Sequence, residues 1–137
     1  MKWICVMAGL LSTVAYAIPA QAAAIEDCPV PPGTIKVELP LGLPPALGKA
    51  MGNNIALPGE PFDATDVVVK GHKYSRYIFV WNIGNRWIVA TERGGIALHA
   101  AVSVYDLGND GKTTAPIKER ITSPGSACAV ATRLAGR

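Results

Sequence analysis

The sequence predicts a mostly β domain: a small antiparallel meander, forming a curled sheet or barrel, behind a Pro-rich N-terminal segment. Two observations carry this. From Thr65 onward, short β-rich runs recur at regular spacing, divided by Gly, Asn, Asp and Pro. The gaps between those runs are too short for the crossovers that parallel strands need.

The chain has 137 residues, about one domain. It is 50% apolar and only 17% charged, which excludes disorder throughout. Thirteen basic and ten acidic residues are spread along it without a Lys/Arg run, so no nucleic-acid footprint is expected.

Residues 1–22 read as a secretory signal peptide. Lys2 supplies the positive start and residues 3–14 are nearly all apolar. Small residues then stand at cleavage spacing, as Ala20-Gln21-Ala22 or earlier as Ala15-Tyr16-Ala17. The rival reading is a membrane anchor, but the apolar stretch falls short of the roughly 20 residues that span a bilayer. Cys5 is unsuited to lipid attachment, because Ile4 stands where a small residue is needed. Cleavage after Ala22 leaves 115 residues with a charge of +2, and no stable membrane span is expected after it.

Cys28 and Cys128 are the two cysteines of the mature chain. An exported chain meets an oxidising compartment, so they are expected to form a disulfide. The bridge closes a loop of about 100 residues, worth about 4–5 kcal/mol in the chain-entropy model. There is no C-x-x-C, and both histidines lie far from both cysteines, which disfavours redox chemistry and metal ligation. No metal and no cofactor is expected.

Residues 23–64 form the Pro-rich extended segment. Eight of the eleven prolines fall between Pro29 and Pro61, which forbids a long helix or a central strand there. Residues 35–39 read as one short strand. Pro44-Pro45 ahead of residues 46–51, with Gly52 after them, suits one or two helical turns. The rest of the segment is expected to pack along the domain.

Residues 65–137 form the sheet. The β-rich runs are 67–69, 74–81, 86–92, 96–107, 113–121 and 127–134. Placing Ile83-Gly84 at the first hairpin tip sets Val80 opposite Trp87 and Ile78 opposite Val89. Gly94-Gly95 suits a two-residue primed turn, which sets Arg93 opposite Ile96 and Val89 opposite Ala100. One face is then apolar: Ile78, Val80, Trp87, Val89, Leu98, Ala100, Val102 and Val104. The other carries Tyr77, Phe79 and Trp81, then Arg86, Ile88, Ala90 and Glu92, then Ala97, His99, Ala101, Ser103 and Tyr105. It is either a second buried layer under the Pro-rich segment or an exposed recognition surface built on Tyr77, Phe79, Trp81, Arg86 and His99. A one-residue slip in either turn inverts these faces.

The chemistry on offer is sparse. His72 sits in a loop after Gly71. His99 is expected mid-strand, with Glu92 on the same face of its neighbour. No nucleophile motif such as G-x-S-x-G accompanies either, so no catalytic residue is assigned. No H-E-x-x-H is present. Residues 106–111 superficially follow a calcium loop, but Ile117 stands where the bidentate Glu belongs, and a hairpin turn explains them better. No helix follows Gly94-Gly95 to make a phosphate loop. Lys118, Glu119 and Arg120 read as a solvated strand end. The run Gly71-His72-Lys73-Tyr74, then Trp81 and Gly84, resembles a stretch of the periplasmic c-type lysozyme inhibitors, small antiparallel barrels with one disulfide. His72 and Lys73 stand where that family has a Ser-Gly pair, and no site residue is carried over.

The expectation is therefore a periplasmic or secreted binding protein with a protein partner, one that inhibits or neutralises an envelope-acting enzyme or toxin. The alternatives are a small periplasmic hydrolase using His99 or His72 with a carboxylate, and a structural component of an envelope complex.

Overall fold

The computed structural model describes residues 28–136 other than Asn53 and Thr114. The signal-peptide reading of residues 1–22 lies outside the described residues. The domain is mostly β, and its sheet is open. Its strands are β1 (Ile35–Lys36), β2 (Ile55–Ala56), β3 (Ser75–Ile83), β4 (Arg86–Arg93), β5 (His99–Asp106) and β6 (Lys118–Thr122). Two short helices, α1 (Pro45–Met51) and α2 (Ala127–Ala135), complete it. The order is β1-β3-β4-β5-β6, with every pair on this path antiparallel. β2 joins parallel to the start of β3, on the edge that β1 occupies further along.

The first hairpin turns at Gly84-Asn85, because Ile83 pairs with Arg86 and Val80 with Val89. Gly84 has φ +59°, which suits the first central position of a II′ turn. This differs by one residue at the tip from the sequence expectation, yet Val80 and Val89 still share a face. A bulge then intervenes between Tyr77 and Phe79, and it moves Tyr77 to the Val80 side.

The second hairpin differs more. β4 and β5 pair as Arg93 with His99 and Val89 with Ser103, leaving a five-residue loop, 94–98, in place of a two-residue turn. Gly94 is held against the backbone of Asp63 so closely that any Cβ there would collide with the Asp63 carbonyl. The glycine thus serves a backbone approach rather than a tight turn. The slip reverses every side chain of β5 relative to the sequence expectation. Ala100, Val102 and Val104 join Phe79, Trp81, Ile88 and Ala90, whereas His99, Ser103 and Tyr105 join Val89 and Thr91.

Two further expectations are corrected. Residues 127–134 form a helix, not a strand. Its buried residues Ala127, Val130, Ala131 and Leu134 follow helical spacing in an Ala-rich stretch, and Pro124 opens the 3₁₀ turn that leads into it. Val67, Val68 and Val69 form no strand but an exposed loop. At that level the edge of β3 is taken by β2.

Each face of the sheet has its own cover. α2 lies over Phe79, Trp81, Ile88, Ala90, Ala100, Val102 and Val104. The disulfide between Cys28 and Cys128, with Cα atoms 5.6 Å apart, packs against this layer and fixes α2 to the start of the described chain. The Pro-rich segment covers the other face. Val37, Leu39, Leu43, Leu47 and Ile55 meet Tyr77, Val80, Val89 and Tyr105 there. Among the described residues, no helix is long and apolar enough to cross a membrane.

Candidate functional site

The Pro-rich segment covers only part of its face. Where the chain turns from α1 into β2, it leaves a cleft of about 430 Å³. Met51 and Ile55 form one wall, and Tyr74 and Gly94 stand at the start of β3 and just past β4. The floor is the sheet itself: Val89, Thr91 and Arg93 of β4 with His99, Ser103 and Tyr105 of β5. Alternation along both strands aims these side chains to one side.

The floor is polar and ordered. Ser103 Oγ donates to Glu119 Oε2 at 2.8 Å, and Arg93 donates to the same oxygen at 3.2 Å. Glu119 therefore belongs to a small network beside the cleft rather than to a merely solvated strand end. The Arg93–Glu119 pair is well exposed and contributes little to stability by itself. Thr91, Ser103 and Tyr105 are buried. Burial raises the pKa of the Tyr105 phenol, and the Glu119 charge raises it further, against a smaller opposing pull from Arg93. The Tyr77 phenol is also raised, by burial first and then by Tyr105. Both hydroxyls remain protonated at neutral pH.

His99 is half-buried, and its Nδ1 lies 3.1 Å from the Ala97 carbonyl. A carbonyl only accepts, so Nδ1 carries a proton. In the neutral tautomer that this contact selects, the acceptor is Nε2. Glu92 is not beside it. Glu92 pairs with Ala100 and points to the opposite face, where it takes Arg76 at 2.7 Å.

The other sequence-derived candidates scatter. Phe79 and Trp81 stack at 4.5 Å beneath α2, and Trp81 is fully buried. Tyr77 is buried under the Pro-rich segment on the other face. Arg86 lies at the far hairpin end, 3.5 Å from Asp106. The expected surface of Tyr77, Phe79, Trp81, Arg86 and His99 is thus divided among two core layers, a hairpin end and the cleft. Burial came from α2 for Phe79 and Trp81, not from the Pro-rich segment. His72 Nδ1 lies 3.3 Å from the buried Asp63 Oδ1. Asp63 Oδ1 also accepts from the Val69 backbone at 3.1 Å, which pins the valine loop.

Asp63, which pins that loop, packs on Gly94 of the cleft wall. Val67 and Val68 are 65% and 66% exposed, and Ile96 of the neighbouring loop is fully exposed. Tyr74, 60% exposed, stands between loop and cleft. Sequence reasoning placed Ser103 and Tyr105 on the His99 face but missed Thr91 and Arg93, since only the second-hairpin register brings those two to it. Among the described residues, no group of three or more His, Cys, Asp or Glu is placed to hold a metal ion. No family model, curated protein or solved structure matches this chain.

Proposed function

We infer that the chain is an exported binding protein that docks another protein at the end of its sheet where the cleft opens. The form of this function that we favour is neutralisation of an enzyme or toxin acting in the envelope or outside the cell. One observation carries the reading. Exposed Tyr74 lines a cleft whose floor holds Arg93, Tyr105 and His99, and the two loops that meet where Asp63 packs on Gly94 of its wall carry the exposed Val67, Val68 and Ile96. Apolar loop tips beside an Arg- and Tyr-lined recess match the composition of binding hot spots. The disulfide supports export, and a scaffold closed by it holds such loops in fixed relation.

The test uses the intact protein and its partner from envelope fractions, rebuilt as a purified pair. Val68→Asp and Ile96→Asp each place a charge at an exposed position. Each should weaken binding by at least about 2 kcal/mol while leaving the melting temperature in place. Unchanged affinity in both variants overturns this location of the site.

The hydrolase reading is favoured by a different observation. His72 Nδ1 lies 3.3 Å from the buried Asp63 carboxylate, a His–carboxylate pair of the kind that orients a general base. Turnover of ester or amide substrates that disappears in His72→Gln would select it.

A further inference from the structure

We propose that the cleft selects a carboxamide-type group, a peptide bond or a side-chain amide, over a carboxylate. The proposal rests on the reading of this cleft as the docking recess, and it specifies what enters it. Arg93 and His99 are direct partners across β4 and β5, and both line the cleft. Cross-strand partners hold their Cβ atoms about 4.5–5.5 Å apart, so one small group can meet both side chains.

The two offer opposite hydrogen-bonding characters. Arg93 donates to Glu119, and a guanidinium has five N–H groups to offer. His99 is committed at Nδ1 to the Ala97 carbonyl, so the neutral tautomer that fits this contact presents an acceptor at Nε2. A ligand that satisfies both must accept on one side and donate on the other. An amide does this in one plane, with its C=O toward Arg93 and its N–H toward His99. A carboxylate sets its own lone pairs against that of Nε2. The Glu119 carboxylate already supplies Arg93 with a negative partner, which removes the need for an anionic ligand. Met51, Ile55 and Tyr74 offer apolar surface to whatever carries the amide.

The matched probes are phenylacetamide and phenylacetate, alike in shape and differing in this one group. They are titrated into the full protein at about pH 8, where an imidazole is uncharged. Side-chain NMR signals of Arg93 and His99 report the binding. Phenylacetamide should shift both sets, and phenylacetate should bind about tenfold more weakly. The ¹⁵N signals of His99 should show the proton on Nδ1. His99→Leu should abolish the preference between the probes, and a melting curve checks that the variant is folded. The wild-type comparison stands independently of that variant. Equal or tighter binding of phenylacetate overturns the proposal, as does a proton on Nε2. Failure of both probes to bind overturns it too. The docking reading itself stands or falls separately, on Val68→Asp and Ile96→Asp.

Discussion

The two faces of one sheet are covered by very different pieces of chain. Beneath α2 the layer is apolar and closed: Trp81, Ile88, Ala90, Ala100 and Val102 have no exposed surface. A regular helix presents Ala127, Val130, Ala131 and Leu134 to it at even spacing, so little is left open. The opposite face is roofed by an irregular, Pro-rich segment with only seven helical residues in α1. Such a segment follows the sheet over Val80 and Val89 but does not reach across to Arg93 and His99. Regular cover yields core, and irregular cover yields a recess.

Four changes separate the two faces, starting with the largest effect. Trp81→Ala should destabilise the fold by about 3–5 kcal/mol, because it empties the centre of the closed layer. Trp87→Ala, a half-buried tryptophan on the other face, should cost less than half as much. Paired denaturant melts check this, and equal losses would erase the distinction between the layers. Cys128→Ser should cost about 2–5 kcal/mol. Hydrogen exchange would then show protection falling first in α2, with β3 and β4 retaining theirs longer. Gly94→Ala forces the hairpin away from Asp63 and should cost about 1–3 kcal/mol. Its damage should concentrate on the cleft side, read as shifted amide signals in the 63–74 loop with those of α2 undisturbed.

The smallest effect is on pH. Tyr77 and Tyr105 have raised phenol pKa values in the folded protein, so the unfolded chain releases their protons first. Stability should be unaffected below about pH 10 and fall as pH rises past it. Alkaline melts of Tyr105→Phe beside the wild-type protein test this. The variant should lose less stability over that interval.

The sequence made the meander legible because strand runs and turn residues alternate without interruption from Tyr74 to Leu107. The disulfide was legible from cysteine count and compartment alone. The faces were legible only as far as the local signals reached. Gly84-Asn85 spares the β-branched Ile83 the positive φ of a primed turn, yet either choice of tip keeps Val80 with Val89. Gly94-Gly95 misled because its first glycine answers to Asp63, a contact 31 positions away in sequence that no local pattern reports. The bulge that diverts Tyr77 has no glycine to mark it. By contrast, the helix at residues 127–135 was readable from its i, i+3, i+4, i+7 spacing. Its apolar density suited a strand as well, and strand was the expectation. The cleft fell between these cases. His99 stood out as a candidate with Ser103 and Tyr105 on its face, but Thr91 and Arg93 joined them only through the register.

The bridge between Cys28 and Cys128 also decides how the domain bears force. The two residues are 100 positions apart in sequence and joined by a single covalent bond. Tension entering along the backbone at Cys28 and leaving at Cys128 passes directly through the sulfurs. The intervening strands carry none of it, so pulling in this direction cannot unzip the β3–β4–β5 ladder while the bond is intact. The loops around the cleft would keep their shape on a stretched tether, and a reductant would route the same tension through the strands between the two cysteines.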